Sequence, residues 1–230
     1  MDKFEGFPAQ GFGFFRELAV NNNRKWFEAH KQDYLDYLQT PAVAFLVELG
    51  ERLKSFVPGI AYDTRTNGAG SIMRIYRDIR FSKDKSPYKT HLGINWWEGS
   101  GKGSPGFHFF IDADGAAMHS GYHEFDKPML DAFRQAAADD RTGRQFQQAI
   151  SKLTKSGDYQ VGGEQLKRVP PGYDPEHPRG DLLRYKGLWV RSPHLRPTEL
   201  ESRSLIDICL KHCRAMAPVH RWFVEVHQAA

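Results

Sequence analysis

The first quarter of the chain has a helical pattern, because apolar residues recur there every three or four positions. A short apolar run at residues 12–18 predicts one or two helical turns. The asparagines at residues 21–23 offer an N-cap for a longer helix that follows them. Pro41, with Thr40 as its cap, is predicted to interrupt that helix and to begin a second one that ends at about Lys54.

The pattern changes to that of β-strands after a loop rich in glycine, asparagine, threonine and proline at residues 58–70. Apolar and polar residues then alternate in four runs, at residues 72–77, 91–97, 107–112 and 116–121. Residues 113–115, Ala-Asp-Gly, are typical of the turn of a β-hairpin. Because the gaps between runs are too short for crossover helices, we predict a mostly antiparallel sheet.

Helical periodicity returns beyond residue 126, at residues 130–137 and 146–153. The proline- and glycine-rich stretch at residues 157–197 is predicted to form a long loop that contains a short helix at 181–185 and a strand at 187–191. An amphipathic helix follows from Glu199, and a second helix is predicted after Pro218. The whole pattern predicts an α+β fold, with a mostly antiparallel sheet flanked by N- and C-terminal helices.

The chain is predicted to form a single domain over residues 1–230, because no internal segment has the composition of a linker. Its parts are a helical N-terminal part at about 12–55, a sheet core at about 71–122, and helices with a long wrapping loop at about 127–228. Apolar residues make up 40% of the chain, which suffices for a core. The sequence leaves the oligomeric state open.

Composition favours a cytoplasmic protein that does not enter the membrane. No window approaches 18 apolar residues, and the N-terminus lacks the basic and apolar regions of a secretion signal. Cys209 and Cys213, four residues apart on a predicted helix, are expected to be reduced thiols. No Walker loop, dinucleotide-binding glycine pattern, HExxH or GxSxG motif is found, so the sequence indicates no particular cofactor.

One segment concentrates the charge, residues 74–91, RIYRDIRFSKDKSPYKTH. Guanidinium groups bind phosphate and carboxylate groups through paired hydrogen bonds, and lysines add mobile positive charge. The segment therefore predicts a site for an anion, in which Arg77 and Arg80 clamp the ligand and Asp78 orients them. The alternative is a solvated, charged edge strand with modest ion pairs. The predicted ligand-binding residues are Arg74, Tyr76, Arg77, Arg80, Lys83, Lys85, Tyr88 and Lys89.

Asp78 and His91 are the nearest candidates for acid–base catalysis, since one lies within the basic segment and the other at its end. Asp78 among arginines is expected to stay ionised, which suits an orienting role better than proton transfer. Further along the chain, a two-residue turn at Ala113 and Asp114 would place His108 opposite His119. With His91 and His123, these imidazoles could hold a divalent metal, or they could simply be paired histidines. No tight HxH or HxxxH spacing supports a metal, so the sequence assigns none.

The basic segment resembles the hallmark of a widespread family of bacterial and fungal proteins known only as a conserved domain of unknown function. The resemblance extends from residue 12 to about 222. It includes NNNRKWFE at residues 21–28, PGF at 105–107, and later positions that comprise 166–168, Gly172, Tyr173, Pro178, Leu182, Leu183 and Lys186. Members often have an aromatic residue and then a histidine two positions later in the PGF strand, where this chain has His108 and Phe110. The resemblance implies no particular reaction, cofactor or substrate.

The sequence leaves three functions open. The first is an enzyme or binding protein for an anionic small molecule, either a phosphorylated compound or a nucleotide. The second is a nucleic-acid-binding module, whose bases stack on Tyr76, Tyr88, Trp96 or Trp97. The third is a non-catalytic interaction domain that meets an acidic protein.

Overall fold

The structure, a computed structural model, describes residues 3–101 and 103–230. It begins with helices: α1 (Ala9–Val20), α2 (Arg24–Ala29), α3 (Lys31–Tyr34), a π-helical turn (Leu35–Gln39) and α4 (Thr40–Leu53). Asn23 caps α2 as predicted, because its side-chain oxygen accepts a hydrogen bond from the Trp26 N–H at 3.0 Å.

The predicted interruption at Pro41 is wrong. The backbone stays helical from Lys31 to Leu53, with Pro41 in the first turn of α4 directly after the π-helical turn. A proline removes one backbone donor and crowds the carbonyl four residues earlier. The wider turn before it changes the hydrogen-bonding pattern locally, so the helix continues instead of ending.

The centre of the fold is one sheet of six strands, in the order β1-β2-β3-β4-β6-β5. All neighbouring strands are antiparallel, which agrees with the predicted sheet. The strands are β1 (Ile60–Ala61), β2 (His91–Glu98), β3 (Gly106–Asp112), β4 (Ala116–Gly121), β5 (Gln160–Gly162) and β6 (Trp189–Arg191). The last two lie in the proline- and glycine-rich stretch, where β6 agrees with the strand predicted at 187–191 and β5 was not predicted.

Residues 72–77 do not form the regular strand that their alternation predicts. They make two isolated bridges, Ile72 with Ile94 and Tyr76 with Tyr88. The bridge between Ile72 and Ile94 lies further along β2 than the two residues that pair with β1. After it the chain leaves the sheet and folds back on itself, so the second bridge closes a projecting loop.

The remaining helices are α5 (Lys127–Ala138), α6 (Asp140–Thr154), α7 (Gly180–Leu183), α8 (Pro197–Leu200) and α9 (Leu205–Gln228). The prediction of separate helices on either side of Pro218 is wrong, since α9 passes through this proline. Val219 and Phe223 beyond it are fully buried, and this packing outweighs the lost hydrogen bond. Cys209 and Cys213 are buried free thiols on the same helix.

The two faces of the sheet differ in chemistry. One carries buried side chains such as Ile94, Phe109 and Met118, and packs against α4 and α9. The Trp96 indole N–H on this face donates to the Leu46 carbonyl of α4 at 2.9 Å. The opposite face carries both polar and aromatic side chains, among them His108, Phe110 and His119. Within the described residues, no helix combines the length and apolar composition needed to cross a bilayer.

Candidate functional site

The basic segment forms a projecting loop, residues 76–88, which we call the basic arm. Its base is closed by the bridge between Tyr76 and Tyr88, and the Arg77 N–H donates to the Pro87 carbonyl at 2.9 Å. The side chain of Asn22 fastens the arm to the helices, because it donates to the Tyr88 carbonyl at 2.9 Å and accepts from the Tyr88 N–H at 3.0 Å. The conformation of the arm is therefore anchored to the domain.

The arginines of the arm are paired with carboxylates of the arm itself. Arg80 binds Asp78, with Nη2 at 2.6 Å from Oδ2, and Arg77 binds Asp84. The bonds from Arg80 lower the pKa of Asp78 to about 2. Asp78 therefore remains ionised at neutral pH and is too weak a base for proton transfer. Its predicted role in orienting the arginines towards a ligand stays a prediction.

Two of the lysines are bound to backbone carbonyls. Lys85 Nζ donates to the Ile79 carbonyl at 3.0 Å, and Lys89 Nζ donates to the Arg74 carbonyl at 3.0 Å. Lys83 makes no hydrogen bond or ion pair within residues 3–101 and 103–230. Since the cations bind separate local partners, the arm does not gather them around one shared anion. The predicted clamp stays a prediction, and these contacts do not favour it.

The two tyrosines at the base of the arm differ in exposure. Tyr88 is only 2% exposed and stacks on Phe27 with ring centroids 4.1 Å apart, whereas Tyr76 is 47% exposed. Tyr88 therefore packs against the helices, and its burial does not favour its predicted role as a ligand contact. Trp96 is buried as well, so it is not available to stack on a base.

His91 follows the arm along the chain and lines a cleft of about 980 Å³ on the face of the sheet that carries His108 and His119. We call it the histidine cleft. Its floor and walls come mainly from β2, β3 and β4 and from the chain that follows β4. Histidine and aromatic side chains dominate the lining, which includes His91, His108, His119, Phe110, Tyr122 and Trp189.

A row of polar residues crosses the sheet on this face. Strand register places Asn95 opposite His108, His108 opposite His119, and His119 opposite Arg191. The predicted pairing of His108 with His119 is confirmed, and their ring centroids are 5.9 Å apart. The pairing follows from the turn, in which the Asp112 N–H donates to the Gly115 carbonyl at 2.9 Å across Ala113 and Asp114.

The hydrogen bonds of Asn95 determine which nitrogen of His108 carries a proton. The Asn95 amide nitrogen donates to the Ser71 carbonyl at 3.4 Å, so the amide oxygen is the atom that lies 2.8 Å from His108 Nδ1. Only a protonated Nδ1 can donate to that oxygen. In neutral His108 the lone pair is therefore on Nε2, which has no hydrogen-bond partner within the described part of the chain.

The absence of a side chain at Gly93 leaves the space that the His108 imidazole occupies. A Cβ atom at residue 93 would lie 2.6 Å from Met73 Sδ and 2.8 Å from His108 Cε1. Any side chain there would push the imidazole and the thioether out of position. The glycine is thus required by the close approach of two neighbouring side chains rather than by an unusual backbone angle.

The imidazoles of the cleft are held neutral. Burial, helped by His119 and His91, lowers the pKa of His108 to about 3. Burial and the nearby Arg191 lower the pKa of His119 to about 4. The pKa of His91 is also lowered, by burial and then by the charge of Lys89. At neutral pH the three rings therefore offer hydrogen-bond donors and acceptors rather than positive charge.

Aromatic side chains surround these imidazoles. The ring of Phe110 lies 4.7 Å from that of His91, and the ring of Trp189 lies 5.6 Å from that of His119. Beyond β4, the Tyr122 hydroxyl lies 3.2 Å from Nδ1 of His227, which belongs to α9. The cleft thus presents flat apolar surfaces next to polar ring nitrogens.

The possibility of a metal held by His91, His108, His119 and His123 gains no support. Among residues 3–101 and 103–230, no group of three histidine, cysteine, aspartate or glutamate side chains is arranged to hold a metal ion. His123 is exposed after the end of β4 and does not join the row across the sheet.

Several residues in or beside the cleft are not among the predicted site residues. Asn95 could have been found, because alternation along residues 91–97 puts it on the same strand face as His91. Trp189 and Arg191 could not be placed beside His119 from sequence, since the pairing of β6 with β4 joins residues about 70 positions apart.

Comparison with known proteins identifies the family. A family model described as a conserved hypothetical protein, DUF2461, matches residues 10–222, which is most of the chain. The chain belongs to the DUF2461 family. This match confirms the resemblance carried by the basic segment. None of the curated proteins matches the chain. For this member of DUF2461, the geometry of the site therefore carries the functional inference.

Proposed function

We propose that this DUF2461 protein binds a small organic molecule with a planar ring and an anionic group, of the nucleotide class, in the histidine cleft. The observation that carries the proposal is the row of neutral imidazoles on the open floor of the cleft, with the lone pair of His108 on an unpartnered Nε2. A ring nitrogen that faces an open cleft without a protein partner can accept a hydrogen bond from a ligand or from water.

The size and lining of the cleft support a small ligand. Its volume of about 980 Å³ is at the upper end of the range of about 300–1,000 Å³ for small-molecule sites. Phe110 and Trp189 offer flat apolar surfaces to a ring. His108 and His119 can bond the edge of a heterocycle, which presents alternating donors and acceptors.

Two positions offer positive charge to an anionic group. Arg191 lies beside His119 in the polar row, and its Nε is buried with no hydrogen-bond partner in the described chain. Lys89 and Arg77 lie near His91, since their charges contribute to the lowered pKa of its imidazole. A phosphate at either position would gain charge-assisted hydrogen bonds.

The proposal is for binding and not for a particular reaction. The lowered pKa values make His108 and His119 weak bases at neutral pH. Asp78, at the arm, is weaker still. Hydrogen bonding to a ligand is the role that neutral imidazoles perform in this setting without a change of protonation.

A thermal-shift screen tests the proposal with nucleoside monophosphates, nucleosides, sugar phosphates and inorganic phosphate as probes. A nucleotide at 100 times its Kd should raise Tm by about 5–10 °C in a chain of this size. His119→Gln should abolish the shift, and Arg191→Gln should weaken it for phosphorylated probes only.

Lys83→Ala is the matched control, because Lys83 belongs to the arm and lies outside the cleft. If Lys83→Ala removes the shift while His119→Gln keeps it, the ligand binds the arm and the proposed site is wrong. If none of the four probe classes shifts Tm, the proposed ligand class is wrong.

A further inference from the structure

We propose that the tip of the basic arm is a docking surface for single-stranded nucleic acid. The feature that points to it is Phe81, whose side chain is 95% exposed. This ring stands beside Arg80, whose guanidinium carbon lies 5.8 Å from the ring centroid, and two residues before the unpaired Lys83. The surface is separate from the histidine cleft, so the inference does not depend on the function proposed for that cleft.

The exposure of Phe81 is built into the arm. The Arg80 N–H donates to Asp78 at 3.2 Å, the Ser86 N–H donates to Asp84 at 2.9 Å, and Lys85 bonds the Ile79 carbonyl. These bonds define the turns on both sides of the ring and hold it away from the core. A phenylalanine kept in water gives up the stabilisation that burial of its ring would bring, which favours a surface that meets a partner.

The charge of the chain indicates an anionic partner. Residues 74–91 contain six basic and two acidic residues, which gives the segment the same +4 as the whole chain. The other 26 basic and 26 acidic residues balance one another. The arm and its immediate flanks thus have a net positive charge that the rest of the chain, taken as a whole, lacks, and this charge attracts polyanions.

An aromatic ring among cations fits single-stranded nucleic acid better than the other polyanions. Every base has a flat face that can stack on Phe81, while Arg80 and Lys83 contact the neighbouring phosphates. In a duplex the base faces are already stacked and only the charge would be used. A membrane would gain little, since Phe81 is one apolar side chain and stable anchoring needs a stronger apolar signal.

The test measures binding of labelled single-stranded oligonucleotides of about 16 nucleotides by fluorescence anisotropy, at several salt concentrations. Phe81→Ala should weaken binding about 5- to 100-fold, and Phe81→Trp should retain it. Lys83→Ala should reduce the slope of log K against log salt by about 0.7. Val20→Ala, which removes a side chain that is 81% exposed outside the arm, should change neither quantity.

Binding that falls on Phe81→Ala, returns with Phe81→Trp and exceeds that to a duplex of the same length supports the proposal. Equal affinity of Phe81→Ala and the unmodified chain overturns it, as does the absence of oligonucleotide binding at low salt. Tighter binding to phosphatidylserine vesicles or to polyglutamate than to the oligonucleotide, with loss on Phe81→Ala, also overturns it and assigns the tip to a membrane or an acidic protein.

Discussion

At the scale of single residues, the amide of Asn95 decides the chemistry of the histidine cleft. It connects the Ser71 carbonyl to His108 Nδ1, and so it fixes the tautomer of an imidazole whose other nitrogen is available to a ligand. Hydrogen bonds of this type commonly orient functional histidines. Sequence alternation showed the two residues to be on strands, but the bond between them required the register of β2 with β3.

The role of Asn95 can be tested with Asn95→Ala. Without the amide oxygen, the His108 Nδ1 proton loses its side-chain acceptor, so the ring should shift from a single Nδ1-protonated form towards a mixture of tautomers. Nitrogen-15 NMR of the imidazole measures this directly. The loss of the bond should also lower the free energy of unfolding by about 1 kcal/mol.

Asn67→Ala is the matched control for that experiment, since Asn67 is an exposed asparagine that bonds only the nearby Ala69 N–H. It should leave the His108 signals unchanged. Unaltered His108 signals in Asn95→Ala would show that Asn95 does not set the tautomer.

At the scale of elements, the basic arm shows how local pairing limits what a charged sequence can do. Arg77 and Arg80 each bind a carboxylate of the arm, so the charges stabilise the loop before any ligand arrives. The anchor is not in the arm at all. It is Asn22, between α1 and α2, whose side chain makes two hydrogen bonds to the backbone of Tyr88.

We expect Asn22→Ala to release the arm from the helices. The change removes both bonds and leaves the backbone groups of the buried Tyr88 without partners, which should lower the free energy of unfolding by about 1–3 kcal/mol. Hydrogen exchange at the Tyr88 and Lys89 amides should become faster. Asn21→Ala is the control, because Asn21 is bound locally to the Glu17 carbonyl and should affect stability by less than about 0.5 kcal/mol.

Helix α9 shows that tertiary packing can override a strong local signal. Pro218 lies inside this 24-residue helix, and its own side chain is exposed. Pro218→Ala should therefore raise the free energy of unfolding by about 1–3 kcal/mol, since it restores a backbone donor without removing a core contact.

Urea denaturation measures this change. Ala215→Gly, an exposed position in the same helix, provides the opposite control and should lower stability by about 1 kcal/mol. A loss of stability in Pro218→Ala would mean that a kink at the proline is needed to seat the buried His220 and Trp222.

At the scale of the whole molecule, the fold couples the protonation of the cleft to stability. The ordinary pKa of 6.5 falls to about 3 for His108 and to about 4 for His119 when the chain folds. Below pH 6.5 the unfolded chain therefore takes up protons that the folded chain does not. The contribution of these neutral histidines to the free energy of unfolding should be fully present above that pH and should decline as the pH falls towards 4.

Denaturation at several pH values checks this dependence. Between neutral pH and pH 5 the two histidines should together account for a loss of roughly 2 kcal/mol, after allowance for their partial exposure. His108→Gln should flatten the decline, whereas His123→Gln, at an exposed position near the cleft, should not. An equally steep decline in His108→Gln would contradict the proposed burial of a neutral imidazole.

The contrast between sequence and structure is clearest in the sheet. Hydrophobic residues that recur with periods of two and 3.6 predicted the positions of β2, β3, β4, α5 and α6, because those segments pack one regular face against the core. The alternation of residues 72–77 predicted another strand, yet β2 is already paired with β3 along its other edge and with β1 at its end. Although β1 covers only residues 97 and 98 of the edge that faces it, the segment bridges β2 at Ile94 and then turns away into the arm.

The sequence by itself determined the fold class and the family. It also determined that His108 lies opposite His119, since a two-residue turn fixes the register of the hairpin it closes. The tertiary structure decided the rest of the cleft. Trp189 and Arg191 reach His119 only because β6 adds to β4, and the lowered pKa values arise only when these strands bury the rings. It also decided the pairing of the arm's arginines. Contacts between distant segments depend on how the whole chain packs, and local patterns do not encode that packing.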